Sequence, residues 1–279
     1  MVETRVIPIG EHSFTVDVAG PANGAPVLLL HGFPQTRHMW RDQLDALGRR
    51  GYRAIAPDQR GYSAGARPAD VEAYATGLLI ADALALMDAF GAPRFHLVGH
   101  DWGGQIAWLI AAGHAERVRS LSIFSRPHPA AFARALREDP LQAERSGHHR
   151  AFREGDAVAR MRQAGLKPLR DALDRQGVPA AEVAIYMETL MQPGAIEGAM
   201  NWYRASGLVA EATAKIVAPT LYVWGRDDAT VGAAAAALTE QYVTGSYRFE
   251  AIDGAGHFLI DQFPRRASDL IVEHLRDHA

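Results

Sequence analysis

Gly99-His100-Asp101-Trp102-Gly103-Gly104 decides how this chain is read. An apolar run, Phe95-His96-Leu97-Val98, comes just before it, and a helix-forming run from Gln105 to Ala112 follows. Strand, glycine-bounded turn and helix together are the setting of a nucleophile elbow, whose usual form is G-x-S-x-G. Here Asp101 stands at the tip in place of serine. A carboxylate there changes the chemistry the turn can do.

Strand and helix signals alternate on both sides of the elbow. Ser13 to Val18 alternates apolar and polar residues and reads as an edge strand. Pro26 to Leu30 is a continuous apolar run, as in a buried parallel strand, and Arg53-Ala54-Ile55-Ala56 is a second short one. Val71 to Phe90 carries apolar residues at helical spacing, with Pro68 and Asp70 before it and Gly91 after it. Val118 to Phe124, Pro219 to Trp224 and Ser246 to Ile252 read as further strands, and Pro264 to His278 as a last helix. Between Ala130 and about Ser206 strand signals vanish. That stretch reads as short helices broken at Pro140, Gly155, Gly165-Pro168, Gly177-Pro179 and Pro193-Gly194. The expected fold class is α/β: a mostly parallel sheet flanked by helices, with an inserted helical cap. The expected core is 1–128 with 211–279, and the cap is 129–210. An insertion between consecutive strands should lie over their carboxyl ends, where such sheets bind ligands.

Composition narrows the function. The chain has 279 residues, 48% hydrophobic and 22% charged, enough for one large domain with an insertion. A net charge of −3 gives no reason to expect nucleic acid or an anionic membrane as partner. Cysteine is absent, which excludes disulfides and thiolate metal sites. No signal peptide is visible and no run reaches the ~18 apolar residues of a membrane span, so a cytoplasmic location is expected. His148 and His149 lack a partner at metal spacing, and neither metal nor cofactor is expected. A homodimer is left open.

Three more segments fit the elbow. Trp224-Gly225-Arg226-Asp227-Asp228 follows one predicted strand, Gly254-Ala255-Gly256-His257 the last, and His31-Gly32-Phe33-Pro34 an early one. All should emerge at the same sheet edge, in the order nucleophile, acid, histidine. With Asp58-Gln59-Arg60-Gly61-Tyr62-Ser63 and Asn201-Trp202-Tyr203-Arg204, these motifs make the chain resemble the α/β-hydrolases of the epoxide hydrolase and haloalkane dehalogenase group. The resemblance covers nearly the whole chain.

A carboxylate is anionic at neutral pH and can displace a leaving group at saturated carbon, leaving an ester on Asp101. His257 would then deprotonate a water that attacks the ester carbonyl. An acid would hold the imidazole tautomer and stabilise its cation. The backbone N–H groups of Phe33 and Trp102 suit an oxyanion hole. The family places the acid three residues after the glycine, which selects Asp228 over Asp227. The place some relatives use instead holds Ser125.

The resemblance also implies how the reactions separate. Epoxide opening needs a proton donor for the ring oxygen, usually two cap tyrosines. Tyr203 matches one, and counting back four from Phe152 puts His148 where the other is expected. His31, Pro34, Trp102 and Trp202 are expected in the substrate pocket. Dehalogenases often carry asparagine at the position of Phe33. The fluoroacetate branch needs arginines where Trp102 and Gln105 stand. The expected substrate is therefore a small, neutral, apolar epoxide, with water as the second reactant. Haloalkane dehalogenation by the same three residues, and a low-turnover ligand-binding regulator, are the alternatives. Arg145 to Arg162, with interleaved acids, reads as solvated cap surface. Arg60 and Tyr62 read as parts of a turn.

Overall fold

The apolar runs of the sequence become the middle of one eight-stranded sheet. A computed structural model describes residues 1–206 and 214–278. The strands are β1 (Val2–Ile9), β2 (His12–Ala19), β3 (Pro26–Leu30), β4 (Arg53–Pro57), β5 (Phe95–His100), β6 (Val118–Phe124), β7 (Thr220–Gly225) and β8 (Tyr247–Ile252). Their order across the sheet is β1-β2-β4-β3-β5-β6-β7-β8. β1–β2 and β2–β4 pair antiparallel, and the remaining pairs are parallel. Every residue of β5 and β7 is buried, because helices cover both faces of the parallel part.

The register explains how distant segments meet. Leu30 pairs with Gly99, His100 with Phe124, and Phe124 with Val223. The residues that follow β3, β5, β6 and β7 therefore leave the sheet side by side at its carboxyl edge. Those residues are His31-Gly32-Phe33, Asp101, Ser125 and Arg226-Asp227-Asp228. β8 pairs with β7 as far as Gly225–Ile252, which brings the His257 loop to the same edge.

Three details differ from the sequence reading. The segment 13–18 is not the edge strand, because β1 pairs along its full length with β2 and takes the edge. Most of β1 is exposed, so ladder hydrogen bonds hold it and no burial pattern marks it in the sequence. The helix expected over 71–90 is split. Val71–Tyr74 forms a single 3-10 turn, Ala75 is extended (ψ 139°), and the α-helix proper runs from Thr76 to Ala89. A helix at Arg41–Arg49 was not anticipated.

Between β6 and β7 the described chain is helical. The segments are Pro129–Glu138, Pro140–Arg145, Gly147–Arg153, Ala157–Gln163, Lys167–Arg175, Ala180–Met191 and Ala195–Ala205. The expected boundary between 210 and 211 lies outside the described residues. The last of these helices sits tightly on the core. A Cβ on Gly198 would lie 2.6 Å from the Gly61 Cα, so two glycines are needed where helix and loop touch. Gly61 also has φ +92°, a left-handed conformation that glycine adopts without strain. Trp202 Nε1 donates to the Arg60 carbonyl (2.8 Å), and Arg60 is itself fixed by a two-pronged ion pair with Asp82 (2.7 Å each). A second seat lies under Ala180–Met191. There Tyr186 donates to Asp261 (3.0 Å), and Glu182 meets His38 (2.6 Å) and Arg41 (3.1 Å). Among the described residues no helix is long and apolar enough to cross a membrane.

Candidate active site

Asp101 occupies the tip of the turn between β5 and the helix Trp102–Gly113, with φ 50° and ψ −119°. That conformation is unfavourable for any side-chain-bearing residue, by on the order of 1–3 kcal/mol. The strain lifts the carboxylate clear of the sheet. The space beside it is kept open by Gly32, where a Cβ would come within 2.5 Å of Asp101 Oδ1. The Phe33 N–H donates to that same oxygen at 2.9 Å, and the Trp102 N–H also supports the carboxylate. Oδ2 faces His257 Nε2 at 3.5 Å.

His257 is buried behind the nucleophile. Its Nδ1 lies 3.1 Å from Asp228 Oδ2 and 3.3 Å from Oδ1. Asp228 is fixed from its other side by the N–H groups of Thr230 (2.7 Å) and Val231 (2.9 Å). Asp227 is exposed. Two partners were not foreseen. Ser125 Oγ lies 2.7 Å from His257 Nδ1 and donates to Asp228 Oδ2 at 2.6 Å. His100, the last residue of β5, donates from Nε2 to the His257 carbonyl (2.8 Å) and anchors the loop. Burial holds His100 down at about 4, so it is neutral when it makes that bond.

A cavity of about 260 Å³ opens over Asp101 and His257. Its walls are mostly apolar, with Phe33, Phe152, Leu169, Leu173 and Phe258 prominent, and Tyr203 and His148 also face it. Tyr203 is enclosed by the rings of Phe33 (5.5 Å), Trp102 (5.1 Å), His149 (5.1 Å) and Phe152 (5.1 Å). His148 Nδ1 lies 3.1 Å from the Arg145 carbonyl. A carbonyl only accepts, so Nδ1 carries the proton and Nε2 of the neutral ring is a bare lone pair.

Of the residues expected in the pocket, Pro34 lines this cavity, whereas His31, Trp202 and Trp102 are not among its lining residues. His31 spends both ring nitrogens on the main chain, donating to the Gly32 carbonyl (3.1 Å) and accepting from the Gln59 N–H (3.1 Å). It shapes the Phe33 loop from behind. Trp202 is wholly buried, and its indole is committed to Arg60. The Trp102 ring packs between Trp202 and Tyr203. Within Arg145 to Arg162, Arg160 and Arg162 pair with acids near the surface, and Arg145 is exposed too, although its guanidinium also edges the cavity and donates to the Asp228 carbonyl (2.5 Å).

Charge is divided sharply. Burial alone would raise the Asp101 carboxyl, but hydrogen bonding to His257 and that ring's charge hold it below the usual carboxylate range. Burial would equally favour neutral His257, yet the Asp228 charge and the hydrogen bond the ring donates to Asp101 raise it to about 10. The resting site is therefore Asp101⁻, His257⁺ and Asp228⁻. Removing the Asp101 charge must weaken the hold on the His257 proton. In Asp101→Asn, an NMR titration should find His257 losing its proton at distinctly lower pH than in the parent. An unmoved titration would refute this coupling. Burial pushes the Tyr203 phenol well up and the His148 imidazole down, so at neutral pH both are uncharged.

Comparison with known proteins agrees with this geometry. Residues 25–264 match the model of the alpha/beta hydrolase fold family. The chain is 32% identical to AB hydrolase superfamily protein YfhM of Bacillus subtilis, over 94% of each chain. It is 33% identical to Epoxide hydrolase A of Mycobacterium tuberculosis, over 98% of this chain and 94% of that one. A solved epoxide hydrolase from hot-environment metagenomes superposes with a TM-score of 0.88 at 29% identity, covering 99% of both chains. The chain belongs to the α/β-hydrolase fold family, within its epoxide hydrolase branch.

Proposed function

We propose that this enzyme hydrolyses a small, neutral, apolar epoxide to a vicinal diol through an alkyl ester on Asp101. The observation that carries the reading is the divided Asp101 carboxylate. One oxygen is held by the Phe33 N–H, and the other faces His257 at the floor of a largely apolar cavity that Tyr203 also lines. The chain's relatives include proteins named as epoxide hydrolases. Residues 129–210 are read as a cap over a core of 1–128 and 211–279.

Asp101 Oδ2 attacks an epoxide carbon, the carbon–oxygen bond of the ring breaks, and Tyr203 gives its proton to the released alkoxide. The ester no longer carries the Asp101 charge, so His257 releases its proton, which restores the Tyr203 phenol. Neutral His257 then takes a proton from water as the water oxygen bonds to the Asp101 carbonyl carbon. Negative charge gathers on Oδ1, where the Phe33 N–H already points, with the Trp102 N–H beside the carboxylate. Collapse breaks the bond between that carbon and the substrate oxygen, and the departing diol keeps a proton from the new carboxyl. Asp101⁻ and His257⁺ are regenerated. Water is the second reactant, and its oxygen remains in Asp101 after the first turnover.

That last point gives the test. A single turnover of styrene oxide in ¹⁸O-water should place the label in the Asp101 peptide and leave the first diol unlabelled, as read by mass spectrometry. Label in the diol with none in Asp101 would mean direct attack by water and would sink the ester mechanism. Bromide release from 1-bromobutane, with no diol from epoxides, would move the reading to dehalogenation. Tight retention of an unchanged epoxide would point to a binding role.

A further inference from the structure

We infer that Ser125 is a positioning residue inside the charge relay, its hydroxyl bridging the ring of His257 to the carboxylate of Asp228. Its Oγ is the nearest acceptor to His257 Nδ1, at 2.7 Å against 3.1 and 3.3 Å for the two Asp228 oxygens. The same hydroxyl donates to Asp228 Oδ2 at 2.6 Å. A hydroxyl has one proton and two lone pairs, so it can donate to the carboxylate and accept from the ring at once. The carboxylate fixes the direction of the O–H. The lone pair is thereby aimed at Nδ1–H, which leaves Nε2 bare and facing Asp101 whenever the ring is neutral.

The backbone points the same way. Ser125 sits at φ +64°, a left-handed conformation in which a side chain is penalised and glycine is not. Three bonds hold it there. Its N–H donates to the Val223 carbonyl (2.8 Å), its carbonyl accepts from the Tyr222 hydroxyl (2.9 Å), and the Arg126 N–H closes a tight turn onto the Phe124 carbonyl (2.8 Å). The residue is wholly buried. A strained, buried serine whose hydroxyl reaches two members of the relay places its chemistry in the step that needs them, hydrolysis of the Asp101 ester. Formation of that ester uses Asp101 Oδ2 and Tyr203, which Ser125 does not touch. The kinetic part of this inference rests on the Asp101-ester reading; the ring contact does not.

The test compares Ser125→Gly, Ser125→Ala and Ser125→Asn. Glycine removes the hydroxyl and also relieves the backbone, so a purely structural role predicts a protein at least as good as the parent. Asparagine tolerates the left-handed conformation and restores a donor and an acceptor. Quenched-flow with mass analysis of the Asp101 peptide separates ester formation from ester hydrolysis. Hydrolysis should fall about ten-fold in the glycine and alanine variants, the scale of one lost hydrogen bond to a charged group. Ester formation should change far less, and the asparagine variant should recover most of the loss. The His257 Nδ1–H proton resonance should move in the glycine variant whether or not substrate is present. Parental hydrolysis in Ser125→Gly with an unmoved resonance would overturn the assignment. Absence of any Asp101 ester in the parent would refute the ester reading, and the resonance would then decide the role of Ser125 alone.

Discussion

Replacing His257 by glutamine should yield an enzyme that consumes one equivalent of epoxide and stops, with Asp101 carrying the alkyl group. Glutamine offers an amide that hydrogen-bonds to neighbours but takes no proton from water. A positioned general base is worth ~10²–10⁴-fold, and His257 is the base whose Nε2 faces the Asp101 carboxyl. Hydrolysis should therefore slow by about 10³-fold or more, while ester formation survives. One secondary effect sets the conditions. The imidazolium helps keep Asp101 ionised against the pull of burial, so without it the carboxyl moves upward. Alkylation by the variant should then weaken on the acid side, and the assay belongs at about pH 8, where Asp101 is still charged. Intact-mass measurement after mixing with excess epoxide should show stoichiometric addition within the burst. Continued turnover near the parental rate, or consumed epoxide with unmodified protein, would remove His257 from the hydrolytic step.

The stopped intermediate has a use beyond the assignment of the base. It isolates the first chemical step, formation of the Asp101 ester. It also separates epoxide opening from halide displacement, because an epoxide adds whole and leaves a hydroxyalkyl ester on Asp101, whereas a haloalkane loses halide and leaves a plain alkyl ester.

Much of this was legible in the sequence where chemistry and local geometry coincide. Asp101 could be read because a strand, a glycine-bounded turn and a helix sit together within twenty residues. Asp228 and His257 could be placed because each follows a strand, and parallel strands send such residues to one edge. Ser125 was noticed only as a position without an acid. Its role depends on a left-handed backbone and on two distances between segments more than 100 residues apart, which no periodicity encodes. His31 and Trp202 failed as pocket residues for the opposite reason. Their motifs are real, but the polar atoms are used up on backbone groups behind the cavity. Arg145 stays exposed but also reaches the Asp228 carbonyl, a tertiary contact that composition cannot reveal.

Tyr203→Phe should slow ester formation by 10²-fold or more, the scale of a lost general acid, and leave hydrolysis of any preformed ester nearly intact. The phenol is suited to this step because burial keeps its proton on at neutral pH, while the ring-opened alkoxide is a far stronger base than a phenolate. His148 cannot simply take over. The Arg145 carbonyl holds the proton on Nδ1, so the neutral ring presents only a lone pair on its other nitrogen. It becomes a donor there only as the imidazolium. Burial lowers its affinity for that second proton, so the cation forms below the ordinary histidine range. The sign follows directly. In Tyr203→Phe, the residual alkylation rate should rise as pH falls below the ordinary histidine range, whereas the parent should depend on pH much less there. Single-turnover rates across that range, taken for Tyr203→Phe alone and combined with His148→Ala, decide the matter. A residual rate that does not rise, or that rises equally without His148, would leave Tyr203 as the donor and reduce His148 to a wall of the cavity. A rise that disappears with His148→Ala would make the two residues alternative donors, one working at neutral pH and the other only in acid.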